Sequence, residues 1–118
     1  MPERRRFDLA PDLTVLCADN PGPMTLDGTR TYVLGRERLV IVDPGPDRPG
    51  QLDALSGIVN GRDVILVLLT HAHADHAGVA TATARRFGAE LRASDDTLSR
   101  LGPGIGGRAL EDGETVNP

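Results

Sequence analysis

Several residue types that mark particular protein classes are scarce or missing in this chain. Only one of the 118 residues is cysteine, which excludes an internal disulfide and a zinc site built from cysteines alone. Two phenylalanines, one tyrosine and no tryptophan are present, too few for an aromatic platform that stacks single-stranded nucleic acid. The longest apolar run, Val64–Leu69, is far shorter than a membrane span requires.

Lysine is also absent, so all 13 basic residues are arginine; they stand against 17 acidic residues and leave a net charge of −4. This balance argues against binding to a nucleic-acid backbone, and RNA is therefore a disfavoured partner. The first six residues are charged and no apolar stretch of signal-peptide length follows them. Without a leader or a membrane segment, the sequence predicts a cytoplasmic protein.

The pattern of charge and hydrophobicity divides the chain into two parts. Residues 1–12 are charged and contain two prolines, which predicts a tail or an edge segment, and residues 13–118 form the candidate domain. The domain begins with short runs rich in β-branched and apolar residues, typical of antiparallel strands. These runs are Leu13–Cys17, Thr29–Leu34 and Leu39–Val42.

The period changes after residue 50, from strand-like runs to an alternation of helices and strands. Val64–Leu69 is apolar at every position, which is typical of a strand buried on both faces. Helices are predicted near Leu52–Val59, over Ala77–Phe87 with Gly88 as the C-cap, and over Ser94–Leu101, with a further strand at Glu90–Ala93. The sequence therefore predicts an α/β (α+β) fold in which the later strands lie in one sheet with helices packed on it.

All three histidines lie within six residues, directly after the most apolar strand and directly before a predicted helix. His71 and His73 are two positions apart, so on an extended strand exit their side chains point the same way. Asp75 and His76 follow where the chain must turn towards the helix. Imidazole and carboxylate groups at this spacing predict a metal site. The alternative is a histidine-rich run that has no ligand role or binds metal only adventitiously.

At this point the sequence resembles the metallo-β-lactamase superfamily. Residues 71–76 have the form His-x-His-x-Asp-His, introduced by Leu-Leu-Thr and followed by Ala-Gly, which is similar to the metal motif of that family. Pro21–Gly35 resembles the opening hairpin of the lactamase-β-2-like and hydroxyacylglutathione-hydrolase-like branches. Leu39–Gly45 resembles the family's strand that ends in an Asp-x-Gly turn.

The resemblance implies a role for each matching residue. His71 and His73 would bind a first metal ion, and Asp75 and His76 a second, with Asp75 also orienting the attacking water. Asp43 would support the metal loop from outside the ligand set. The cofactor would be zinc, as one or two ions, although iron and manganese accept the same ligands.

The same resemblance implies a metal-dependent hydrolase. Metal-activated hydroxide would attack a small-molecule acyl substrate, such as an ester, thioester or lactone, or a phosphodiester. The fold would be an αββα sandwich with a mixed sheet and helices on one face.

No histidine follows His76, whereas the superfamily completes its metal sites with further ligands downstream. The resemblance therefore implies that these residues are the N-terminal half of the fold. Two alternatives stay open: a non-catalytic metal-binding or assembly module, and an inactive gene fragment. Half of a sandwich exposes the sheet face that its partner would cover, which predicts self-association.

Overall fold

The computed structural model describes residues 5–18, 29–70, 78–101, 107–110 and 113–114. Within these ranges the chain forms one seven-stranded sheet whose strands lie side by side in sequence order. The elements are β1 (Arg5–Ala10), β2 (Leu13–Cys17), β3 (Arg30–Gly35), β4 (Arg38–Val42), α1 (Gln51–Val59), β5 (Asp63–Leu68), α2 (Ala80–Phe87), β6 (Glu90–Ala93), α3 (Asp95–Leu101) and β7 (Arg108–Ala109).

The sheet is mixed, as the sequence predicts. Strands β1 to β4 pair antiparallel, and β4 to β7 pair parallel. The change of direction falls between β4 and β5, where α1 makes the crossover that a parallel pair requires. The carboxyl ends of β4, β5 and β6 therefore meet at one edge of the sheet.

Two strands lie where the sequence alone predicts none. Strand β1 falls within residues 1–12 and forms one border of the sheet; every one of its residues is exposed. None of the β1 side chains is buried, so no buried face marks β1 in the sequence. Only its pairing with β2 defines it as a strand. Strand β7 has two residues and pairs with β6 at the other border.

Helices α1 and α2 each end at a residue in the left-handed conformation that suits a C-cap. Helix α1 follows Gly50 (φ 82°) and is capped at its C-terminus by Asn60 (φ 49°). Gly88 (φ 62°) caps α2, as predicted, and its N–H donates to carbonyls of the last turn. Ser94 precedes α3 and its Oγ accepts a hydrogen bond from the N–H of Thr97 at 3.2 Å. None of the described helices is long and apolar enough to cross a membrane.

The three helices in the described part of the chain pack on one face of the sheet, as predicted for the fold. Leu55, Ile58 and Val59 of α1 pack on β2–β5. Ala80 and Ala84 of α2 pack on β5 and β6, and Leu98 of α3 packs against the same cluster. The sheet residues of the two clusters are Leu16, Val33, Leu39, Ile41, Val64, Val67, Leu69, Leu91 and Ala93.

The pairing of β4 with β5 is irregular at one position. Leu39 pairs with Val64, but the next residue, Val40, pairs with Leu66, so β5 contains one extra residue at Ile65. Val64 and Val67 consequently lie on the same, helix-covered face. Simple alternation would have placed them on opposite faces.

Candidate metal centre

The candidate site lies at the sheet edge where β4 and β5 end side by side. The last residues of these strands, Val42 and Leu68, are register partners. The pairing continues one residue further, because the N–H of Asp43 donates to the carbonyl of Leu68 at 2.8 Å. In open α/β sheets, ligand sites collect outside the carboxyl ends of parallel strands.

Asp43 has an uncommon backbone conformation at this edge. Its φ is +53°, in the left-handed region that aspartate tolerates better than most residues. The residue is buried, and its carboxylate turns towards the end of β5. Oδ1 accepts a hydrogen bond from the N–H of Thr70 at 2.8 Å, and Oδ2 accepts one from the Thr70 hydroxyl at 2.5 Å.

Thr70 is the residue directly before the candidate ligand motif. The predicted ligands His71, His73, Asp75 and His76 all fall in residues 71–77, which lie outside the described residues. The structure therefore describes the two flanks of the motif, Thr70 on one side and residues 78 and 79 on the other. Within the described ranges no group of three or more histidine, cysteine or acidic residues could hold a metal ion.

The donor set supplied by the sequence suits a divalent transition metal. Three imidazoles and one carboxylate in six residues are the ligand types that zinc takes in proteins, with iron and manganese as further candidates. The described part of the chain adds the carboxylate of Asp43, which is already engaged by Thr70. This fits an outer carboxylate that orients ligand-bearing backbone more closely than it fits a ligand.

A cleft of about 570 Å³ opens at the same sheet edge. Its described lining is mostly aliphatic and comprises Val42, Leu68, Leu69, Thr70, Ser94, Leu110 and Gly113. Buried Arg92 contacts the residues next to Leu110 and Gly113 of this lining. One of its guanidinium nitrogens donates to the carbonyl of Ala109 at 2.9 Å and to Glu114 Oε1 at 2.8 Å. The cleft thus presents an apolar surface beside Thr70.

Sequence reasoning names Asp43 but misses Thr70. The Thr70 hydroxyl donates to the Asp43 carboxylate only because the parallel pairing of β4 with β5 brings together two residues that are 27 positions apart in sequence. The available signal is weak: a threonine between a buried strand and a histidine motif. Cys17, the single cysteine, is buried in β2, whereas Thr70 lies just after the end of β5.

Comparison with known proteins places these features in a family. A model described as the metallo-beta-lactamase superfamily matches residues 24–116. Lactamase-like protein ptaB of Pestalotiopsis fici is 30% identical over 109 residues, which cover 90% of this chain and 34% of ptaB. Atrochrysone carboxyl ACP thioesterase nsrC of Aspergillus novofumigatus is 38% identical over 73 residues, which cover 59% of this chain and 23% of nsrC.

A solved structure identifies the fold independently. Metallo-beta-lactamase SMB-1, bound to 2-mercaptoethanesulfonate, superposes with a TM-score of 0.71 at 23% identity. The superposition covers 95% of this chain and 49% of SMB-1. The chain thus spans about a third or less of the two curated relatives' lengths and half of this structural neighbour. By its sequence match and its fold, the chain belongs to the metallo-beta-lactamase superfamily.

Proposed function

We propose that this chain carries the metal-binding part of a metal-dependent hydrolase that acts on an ester or thioester substrate. One observation carries the proposal. The motif of His71, His73, Asp75 and His76 begins one residue after Thr70, which Asp43 anchors at the carboxyl edge of the sheet. When a segment starts from a fixed backbone position, several of its side chains can be directed at the same metal ion.

In this proposal His71 and His73 hold one zinc ion, and Asp75 and His76 a second. Zinc bound by such ligands supplies Lewis acidity and lowers the pKa of a bound water to about 7. The Asp75 carboxylate also accepts a hydrogen bond from the attacking water and orients it. Asp43 and Thr70 perform no chemistry themselves; they fix the position from which the ligands start.

The choice of an acyl substrate rests on two observations. The described lining of the cleft is largely aliphatic, which suits an acyl chain better than a polyanion. One relative, 38% identical over 59% of this chain, is named as an acyl carrier protein thioesterase. The net charge of −4 also disfavours RNA, although a small phosphodiester stays a candidate.

The test combines metal content with a substrate panel on the full chain, taken here and below to include any downstream segment that its gene encodes, because these residues span a third or less of the curated relatives. We expect tightly held zinc, and turnover of an acyl thioester or lactone in preference to a phosphodiester or RNA. His73→Ala is expected to lower kcat/KM by at least about 100-fold, whereas Asp53→Asn, at an exposed position on α1, is expected to leave it unchanged. Stoichiometric zinc with no hydrolysis of any substrate would instead identify a non-catalytic metal-binding module.

A further inference from the structure

The loop that contains Asp43 is buried, which is unusual for a connection between elements. All four residues 43–46 are buried. A buried loop must find partners for its backbone carbonyls, since an unpaired carbonyl away from water is costly. Here every one of the four carbonyls accepts a hydrogen bond.

Two of these carbonyls are held by fully buried side chains. Thr31 Oγ1 on β3 donates to the carbonyl of Asp43 at 2.6 Å. Gln51 Nε2, at the first position of α1, donates to the carbonyl of Pro44 at 2.8 Å. Both side chains are 0% exposed. A polar group is retained in a core only where it has specific partners, so these two side chains specify the position of the loop.

A third carbonyl links the loop to helix α2. The carbonyl of Gly45 accepts a hydrogen bond from the N–H of Val79 at 3.2 Å, and Val79 is the N-cap residue directly before α2. The fourth, that of Pro46, accepts from the N–H of Arg48 at 3.0 Å. The same short loop therefore contacts Thr70 through the Asp43 carboxylate and Val79 through the Gly45 carbonyl.

Thr70 and Val79 flank residues 71–77, in which all the proposed ligands lie. We propose that Gln51 and Thr31 are positioning residues for the metal centre: they lock the 43–46 loop, which in turn fixes the chain on both sides of the ligand segment. This inference rests on the proposed function for its consequence, metal affinity. The contacts that carry it lie entirely in described residues.

The test uses variants that remove one donor and keep the shape of the side chain. Gln51→Met removes the Nε2 donor, and Thr31→Val removes the hydroxyl donor. Thr31→Ser keeps the hydroxyl and serves as the conservative control. Leu55→Ala is the matched control, because Leu55 is a fully buried residue of the same helix that packs in the cluster on β2–β5 and supplies no hydrogen-bond donor from its side chain. Amide hydrogen exchange and zinc affinity, measured by competition with a chelator, are compared in the full chain.

We expect Gln51→Met and Thr31→Val to accelerate exchange at the Thr70 and Val79 amides together, after correction for global stability. They should also weaken zinc binding by about tenfold, the lower end of the range for outer partners of metal ligands. Leu55→Ala and Thr31→Ser should change neither by more than about twofold. Exchange at Thr70 and Val79 that is no faster in Gln51→Met than in Leu55→Ala would overturn the inference.

The exchange and metal measurements separate this inference from the proposed function. If the unsubstituted chain binds no zinc, the proposed function is wrong, while the exchange data still decide whether Gln51 and Thr31 fix both flanks. If zinc binds with equal affinity in all variants, the loop does not position the metal centre and the inference is wrong, although the proposed function stands.

Discussion

The carboxylate of Asp43 accepts two hydrogen bonds from Thr70, one from its N–H at 2.8 Å and one from its hydroxyl at 2.5 Å. These bonds join the residues that follow two adjacent parallel strands. A carboxylate that binds both groups of one residue restricts its backbone and its side chain at once. The chain consequently leaves β5 towards the candidate ligands in a defined direction.

Removing this carboxylate should cost more stability than removing an exposed one. Asp43→Ala loses both bonds to a charged acceptor and places alanine at φ +53°, so we expect a loss of about 3 kcal/mol. Asp43→Asn tolerates that backbone and can keep one bond, and should lose about 1 kcal/mol. Urea unfolding gives both values. Asp53→Ala, at an exposed position, is the control, and an equal loss there would contradict the prediction.

The Thr70 hydroxyl can be tested separately from its backbone. Thr70→Val removes the bond to Asp43 Oδ2 and keeps the backbone bond to Oδ1, so we expect a loss of about 1–2 kcal/mol. Zinc affinity should fall by about tenfold or more, because the first residue of the ligand segment is held less firmly. Thr70→Ser keeps the hydroxyl and should behave as the unsubstituted chain. Equal zinc affinity in all three chains would exclude this role for the hydroxyl.

Gly45 is expected to tolerate no side chain. Its φ is +104°, and a Cβ built there would lie 2.5 Å from Gln51 Nε2. Gly45→Ala should therefore destabilise the fold by at least about 2 kcal/mol. Gly57 is the matched control: it lies within α1, and a Cβ there meets nothing within 4 Å. Gly57→Ala should stabilise the helix by about 0.5–1 kcal/mol, and thermal unfolding would show shifts of opposite sign.

Asp8 on β1 should show an acid-shifted titration. Hydrogen bonds from Arg6 and then from Thr14 lower the pKa of its carboxyl below the ordinary value of 3.8. A lowered folded-state pKa contributes stability that is present above the unfolded-state pKa and is lost as pH falls below about 3.8 through the folded value. NMR titration of the Asp8 carboxyl measures the shift. Arg6→Gln should raise the pKa towards its ordinary value, and an unchanged titration would exclude the interaction.

The edge of the sheet at β1 is expected to mediate self-association. Phe7, Leu9 and Tyr32 are 43%, 64% and 39% exposed, and they line a shallow groove with Val15 and Arg30. Exposed apolar side chains on an edge strand promote pairing between chains. Phe7→Ser combined with Leu9→Ser should shift the sedimentation of the chain towards the monomer at high concentration. A sedimentation profile that is independent of concentration in the unsubstituted chain would contradict this proposal.

Much of the fold can be predicted from sequence because local signals and tertiary structure agree. The apolar run of β5, the β-branched runs of β3 and β4, and the glycine after α2 each specify an element by themselves. For residues 1–12 the sequence predicts only a tail or an edge segment, because none of the β1 side chains is buried and its pairing with β2 defines it as a strand. The helix-covered face follows from the register, in particular from the extra residue in β5.

The residues of the candidate site also fall into two groups, those that the sequence identifies and those that only the structure identifies. The histidine motif is visible in the sequence because all three histidines and an aspartate fall within six residues, and Asp43 is named through the resemblance of Leu39–Gly45 to the family's strand and Asp-x-Gly turn. Thr31, Gln51 and Thr70 are ordinary polar residues, and their roles arise from tertiary contacts with residues 12, 7 and 27 positions away. Only the three-dimensional pairing shows that their donors converge on one loop.

The extra residue in β5 allows this strand to lose one residue without a change of register. Without Ile65, Val64 and Val67 would be separated by a single residue, so simple alternation would keep both on the helix-covered face. The pairs from Val40–Leu66 to Val42–Leu68 would be unchanged, and Thr70 would stay beside Asp43. Relatives that retain the histidine motif can therefore lack the residue at position 65 with no compensating change in β4, a one-residue gap that an alignment of such sequences would reveal.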